Sequence, residues 1–281
     1  MKIGRYELHQ IETGRFALDG GAMFGIVPKP LWSKLNPPDD ENRIDMALRV
    51  LLIMGDKRNI LVDTGIGNKF SEKYKEIYKI DHSKYNLDSS LKRFNLETKD
   101  ITDVILTHLH FDHAGGSTYV EDGKYKLTFP NATYYVQKAN YEWALNPSEK
   151  DSGSYHKEDF VPVAEEGKLR LVEGRVMILP NIEVIISDGH TTGQQLVKIS
   201  DERNTLVYCG DLIPTVSHIR IPYIMGYDIH PLTTIEEKKR LLSNACSGDW
   251  TLFFEHDALT EAVKVEKTEK GFGVREKVSL G

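Results

Sequence analysis

Cysteine is nearly absent: Cys209 and Cys246 are the only two in 281 residues. They form no metal-type pair and no disulfide framework, which points to a reducing interior and excludes a cysteine-built structural zinc site. Positive charge is not in excess either. The net charge of −6 gives no electrostatic pull toward nucleic acid, whose binders carry basic patches, so no nucleic-acid partner is expected. No apolar run approaches membrane-spanning length, and the opening MKIGRYELHQ lacks the apolar core of a signal peptide. A cytoplasmic protein without a membrane partner is the expectation. The remainder is ordinary, with 40% hydrophobic and 28% charged residues, the proportions of a globular protein. No repeat, low-complexity tract or shift of composition marks a boundary, so a single domain over residues 1–281 is expected.

Short apolar runs alternate with helical patterns along the chain. Val50–Met54, Ile60–Val62, Val104–Leu106, Tyr134–Val136, Val184–Ile186, Leu206–Tyr208 and Leu252–Phe254 read as strands, as do Ala262–Val265 and Gly271–Val274 near the end. Helical spacing appears around 71–79, 87–95, 137–145 and 234–246. The last carries Thr233 and Thr234 ahead of Glu236 and Glu237, the pattern of a capping box. Two stretches, 19–42 and 213–231, are rich in proline, glycine and interleaved aromatic residues and read as loops.

The densest chemistry lies in THLHFDHAGG, residues 107–116, where His108, His110, Asp112 and His113 fall within six positions. Imidazole and carboxylate together favour zinc or a similar first-row metal. In an extended segment His108, His110 and Asp112 share a face, and the small residues Ala114-Gly115-Gly116 permit a turn that redirects His113. Other apolar runs end in a polar residue of the same kind: Asp63 after Ile60–Val62, His190 after Val184–Ile186, Asp211 after Leu206–Cys209, and His256 after Leu252–Phe254. Polar residues at successive strand ends are how sheets build a site along one edge. The donors partition into His108, His110 and His190 for one cation and Asp112, His113 and His256 for a second, with Asp211 suited to bridge. Asp63 is expected to accept the free N–H of a ligating imidazole. Cys209 reads as a small buried apolar side chain.

Taken together, THLHFDHAGG, the DGHTTGQ around His190, the GDL around Asp211 and the EHD around His256 resemble the metallo-β-lactamase superfamily. The resemblance implies an α/β fold, a four-layer αβ/βα sandwich with the metal site at one edge of two sheets. It also implies two Zn2+ ions as cofactors, with Mn, Fe or Co able to use the same ligands. Within the family, His110 departs from the Glu of flavodiiron-type relatives. Asp211 departs from the Cys of exported first-class β-lactamases, the 44 residues between Asp211 and His256 leave no space for a nuclease insertion, and Ala262–Val265 and Gly271–Val274 after His256 read as strands, which argues against the helical glutathione-binding tail of thioesterase relatives.

The lactonase and esterase branch remains. Leu18–Trp32 and Gly210–Asp228 are similar to loops of quorum-quenching N-acyl-homoserine lactonase-like proteins. Those proteins place a tyrosine three residues after the bridging aspartate, where this chain has Pro214; His218, Tyr223 or Tyr227 is the expected substitute. The implied reaction is attack of a metal-bridging hydroxide on a lactone carbonyl, with Asp112 passing the proton to the leaving alkoxide. Met23, Phe24, Trp32, Ile221 and Tyr223 are expected to line the pocket of a small-molecule ester or lactone, with a homodimer contact as the alternative use of that surface. The same ligands would serve an aryl-ester or organophosphate triester hydrolase, and a non-catalytic metal-binding module is the remaining rival.

Overall fold

The computed structural model describes residues 1–280. Its first half supplies strands β1 (Lys2–Ile3), β2 (Tyr6–Asp19), β3 (Arg43–Gly55), β4 (Arg58–Val62), β5 (Asp103–Ile105), β6 (Thr118–Glu121), β7 (Lys124–Leu127), β8 (Thr133–Gln137) and β9 (Leu169–Val172). The second half supplies β10 (Val176–Leu179), β11 (Ile182–Ser187), β12 (Gln194–Ser200), β13 (Thr205–Tyr208), β14 (Thr251–Phe253), β15 (Ala262–Thr268) and β16 (Gly271–Val278). Seven of the first group form one sheet in the order β1-β2-β3-β4-β5-β8-β9, and β10 to β16 form the second in chain order. β6 and β7 stand apart as a hairpin. Strands β4, β5, β8 and β9 run parallel, as do β13 and β14; the other pairings are antiparallel.

The helices are α1 (Gly20–Phe24), α2 (Lys29–Trp32), α3 (Glu72–Ile77), α4 (Leu87–Lys92), α5 (Phe111–Ala114), α6 (Lys138–Leu145), α7 (Lys157–Glu165) and α8 (Pro231–Gly248). Three cores define the layers. Leu51, Ile53, Val62, Ile105, Val184, Val197, Tyr208 and Phe253 meet between the two sheets. On the outer face of the first sheet, Leu52, Leu61 and Val104 pack against Leu91, Ala144, Phe160 and Val163 of α4, α6 and α7. On the outer face of the second, Val207, Leu252 and Val263 pack against Leu241, Leu242 and Ala245 of α8. Every central strand is thus apolar on both faces, which explains its continuous hydrophobic run. This is the expected four-layer αβ/βα sandwich.

Several elements escaped the sequence pattern, among them β1, β2, β6, β7, β9, β10, β12 and α7. β2 is the longest strand, yet a bulge between Glu12 and Gly14 resets its alternation midway. α7 holds Pro162 in its interior, which removes the hydrogen bond to the carbonyl four residues earlier. The Thr118 hydroxyl donates to that freed carbonyl, Glu158 O, at 2.7 Å. The expected loops at 19–42 and 213–231 contain α1, α2 and a 3-10 turn at Val216–Ile219. The capping box at Thr233–Glu237 does not form: Pro231 opens α8 and no side chain caps it. Phe253 stacks on Tyr208 at 5.3 Å in the central core. Phe253→Ala is expected to destabilise the fold by about 3–5 kcal/mol, read by denaturant unfolding.

Candidate metal centre

Strand ends place the candidate donors. β4, β5, β13 and β14 stop just short of Asp63, His108, Asp211 and His256, and the β11–β12 turn carries His190. All lie where the two sheets share an edge. β3 ties that edge together: Ala47 N donates to His256 O at 3.1 Å and Arg49 N to Glu255 O at 3.2 Å. The buried Arg49 guanidinium also donates to Phe254 O at 3.0 Å and Asp257 O at 2.8 Å. A residue of the first sheet therefore clamps the loop that carries His256. Pro214 has a backbone role here, since its carbonyl accepts the His256 N–H at 3.2 Å.

The histidine-rich run turns by a different device from the one expected. It is extended only to His110, which caps α5, and the helical turn Phe111–Ala114 redirects Asp112 and His113. Neither Gly115 nor Gly116 takes a positive φ. They are needed because a Cβ at Gly115 would strike Ile66 O and one at Gly116 would strike Thr64 O. The glycines permit close packing of the 64–67 loop, which carries the chain away from Asp63.

Two donor groups result, each within 4.8 Å: His108, His110, His190 and Asp211 in one, and Asp112, His113 and His256 in the other. In the first, His110 Nδ1 lies 3.0 Å from His108 Nε2 and 3.1 Å from His190 Nε2. In the second, His113 Nε2 and His256 Nε2 lie 3.1 Å apart, with Asp112 Oδ2 3.6 Å from His256 Nε2. Asp211 faces both groups. Its Oδ2 is 3.2 Å from His190 Nε2, while Oδ1 is 3.3 Å from His256 and 3.4 Å from His113.

Behind the rings stands a layer of acceptors. Asp63 accepts from Thr107 N at 2.6 Å and Thr107 Oγ1 at 2.7 Å, and lies 3.0 Å from His113 Nδ1. Glu255, not anticipated in this role, lies 2.8 Å from the same nitrogen. Asp228, also not anticipated, lies 3.0 Å from His190 Nδ1. His256 Nδ1 donates to Ala47 O at 3.0 Å. Glu237 of α8 accepts from Ser187 Oγ at 2.7 Å, Asp188 N at 2.9 Å and Gly189 N at 3.2 Å. It thereby holds the loop of His190 instead of capping its own helix. The adjacent Lys238 donates to the carbonyls of Arg220 at 3.0 Å and Tyr223 at 2.6 Å, fixing the neighbouring loop. Glu255 adjoins His256 in sequence, so the EHD run was a local signal for it; Asp228 and Glu237 gave none.

The electrostatics suit a cation. Burial and the neighbouring imidazoles hold His108 and His110 well below the usual histidine range, so both present lone pairs. Against the effect of burial, His113, His256 and His190 hold Asp211 ionised, well below the usual carboxylate range. Burial would lower His113 too, but Glu255, Asp211 and Asp112 together raise it well above the ordinary value. His256 rises to about 9 as Asp211 overcomes burial. Burial pushes the Glu255 carboxyl up, against the pull of the His113 imidazole beside it. Asp211 Oδ1 is buried without a hydrogen-bond partner. Converging ring nitrogens around a shared, underused carboxylate are disfavoured in a dry interior unless cations sit among them, so the donor set fits a metal centre.

The donors floor a cavity of about 290 Å3, with Leu18, Met23, Met46, Phe111 and Met225 on its walls and Tyr78, Tyr227 and Lys150 beside them. Of the expected pocket residues, Met23 and Tyr227 line it. The others do not, because irregular segments fold their aromatic residues inward. Trp32 stacks on Phe24 at 5.3 Å over Gly20, and His218 stacks on the other side of Phe24 at 4.8 Å. His218 is spent on Thr215 Oγ1 and Met23 O, both at 2.8 Å. Ile221 and Tyr223 line a separate cavity beside β16. A larger cavity of about 540 Å3, around His82, Asn86 and Thr128, contains none of the donors. Tyr78 and Lys150 were not anticipated, since their sequence surroundings carry no motif. Glu237→Ala should leave three donors around His190 without an acceptor and cost about 3 kcal/mol or more, read as a lower midpoint in urea.

The profile of the metallo-beta-lactamase superfamily matches residues 49–256. An N-acyl homoserine lactonase of Bacillus thuringiensis is 29% identical over 170 residues, 59% of this chain, and the match spans 60% of that relative's length. Another from Bacillus cereus is 28% identical over 210 residues, 72% of this chain and 73% of that one. A probable metal-dependent hydrolase from Staphylococcus aureus superposes with a TM-score of 0.89 at 32% identity, covering 99% of this chain and 100% of the other. AidC, a dizinc quorum-quenching lactonase in complex with a product, gives 0.81 at 22% identity, over 99% and 96% of the two chains; that likeness is one of fold. From Arg49 on β3 to His256 after β14, the matched span carries the shared sheet edge and every candidate donor, and the chain belongs to the metallo-β-lactamase superfamily.

Proposed function

We propose that the chain is a dinuclear metal-dependent hydrolase of ester bonds whose substrates are lactones of the N-acyl homoserine type, opened at the ring carbonyl. The observation that carries the reading is Asp211, whose two oxygens face two separate imidazole groups at the floor of one cavity. Two zinc ions, or manganese, iron or cobalt in their place, would supply a Lewis acid and an activated water there.

The roles of the side chains follow from position. His108, His110 and His190 would hold one cation and Asp112, His113 and His256 the other, with Asp211 facing both groups. Asp63 keeps His113 in one tautomer. Asp112 lines the cavity and carries a proton to the leaving alkoxide. Burial, Asp19, Tyr78 and Asp112 all push the Tyr227 hydroxyl above its ordinary value, so it stays a phenol at neutral pH. It is the donor for the carbonyl oxygen, taking the part that Pro214 cannot play. Walls of methionine and phenylalanine suit an acyl chain, and a volume of about 290 Å3 is at the small end of ligand cavities, which favours a lactone with a short chain.

Hydrolysis of homoserine lactones, aryl esters and a phosphotriester by one metal-analysed sample tests the reading. Lactones are expected to give the highest kcat/KM; a clear preference for the phosphotriester or aryl ester overturns the assignment. Asp112→Asn should lower kcat by about 10²–10⁴-fold, and Tyr227→Phe by about 10²-fold. Undiminished turnover in either variant removes that residue from the mechanism.

A further inference from the structure

The two halves of the centre are backed unequally. On the His108 side, Nδ1 of His108 faces only the Thr107 hydroxyl at 3.0 Å, and His110 Nε2 is buried without a partner. His190 has one carboxyl group behind it, Asp228. On the other side, His113 Nδ1 lies between two carboxyl groups, Glu255 at 2.8 Å and Asp63 at 3.0 Å, all of them buried. These carboxyl groups are themselves held. Tyr208 Oη donates to Glu255 Oε2 at 2.5 Å, and Thr107 donates twice to Asp63. Asp63 alone would orient the ring, so Glu255 is an addition. A carboxylate behind a ligating imidazole raises the basicity of its far nitrogen, and His113 has two.

We propose that Glu255 is a positioning residue that makes the Asp112, His113 and His256 half the tighter of the two cation sites and the first to fill. The inference rests on reading the two donor groups as cation sites. Asp63, His113 and Glu255 also lie within 4.8 Å of one another and form a third cluster of ligand type. The donors that converge on it from Tyr208 and Thr107 mark it as a proton-holding cage, and His113 turns its other nitrogen, Nε2, toward His256 and Asp211.

Zinc titration of the full chain against a chelating indicator provides the test, with metal content measured on the same samples. The native chain should bind two equivalents of unequal affinity. Glu255→Gln, which keeps the size but not the charge, should weaken the tighter equivalent by about 10–100-fold and leave the other in place. Asp228→Asn should do the reverse. Glu255→Asp should restore part of the affinity, and Tyr208→Phe serves if the glutamine variant does not fold, with a smaller loss confined to the same equivalent. Thermal unfolding of the metal-free variants separates a general loss of stability, which would weaken both equivalents alike and overturn the proposal. Unchanged affinities in Glu255→Gln overturn it while leaving the proposed function standing. Three equivalents in the native chain overturn it by making the Asp63–Glu255 face a cation site, and no binding at all removes the proposed function as well.

Discussion

The Asp211 carboxylate is buried between two groups of imidazoles and is shared by both, and the rest of the architecture keeps that arrangement from relaxing. Ring nitrogens about 3 Å apart have no reason to stay together in an apolar interior without protons or cations among them. The cost is met by rigid supports at each loop: Arg49 for the loop of His256, Glu237 for that of His190, Lys238 for the 220–223 turn, and Asp63 with Glu255 for His113. These supports are themselves buried ionisable groups anchored by backbone or side-chain partners, with only Arg49 Nε and Glu255 Oε1 among their atoms left without one. Their placement follows a common logic in which the ordered interior of the sandwich holds a strained polar edge.

That edge exists because the parallel strands of both sheets end at the same place. Strand ends are where backbone pairing stops and side chains can converge without disturbing the ladders. The two sheets contribute unequally. The first gives the compact histidine run and Asp63, while the second gives the separated donors His190, Asp211 and His256. β3 joins them through its hydrogen bonds to Glu255 and His256, while the α5 turn divides the histidine run between the two donor groups.

The cavity above the donors obeys looser rules. Its walls come from the ends of β2 and β3, the α3 turn, the 150–154 loop and the 225–227 turn. Lys150 Nζ reaches across to Gly226 O at 2.9 Å and Tyr227 O at 2.8 Å, tying two loops at the rim. The aromatic residues that look most suited to a pocket from the sequence, Phe24 and Trp32, instead stack on each other beneath it. In a segment without a period, which side faces inward depends on neighbours that are distant along the chain.

The amino-acid sequence alone determined the chemistry: the identities and spacing of His108, His110, Asp112 and His113 are a local property, and continuous apolar runs announce strands buried on both faces. Asp63, His190, Asp211 and His256 were legible because each lies within four residues of the end of such a run. Tertiary structure decided what touches what. It turned Glu237 from an expected helix cap into a support for the His190 loop, set Glu255 and Asp228 behind their imidazoles, and sent His218 into the core while leaving Tyr227 at the cavity. The physical reason is range. Strand periodicity and ligand spacing act over a few residues, whereas hydrogen-bond partners such as Glu237 and Gly189, 48 positions apart, are chosen only when the sheets and helices have packed.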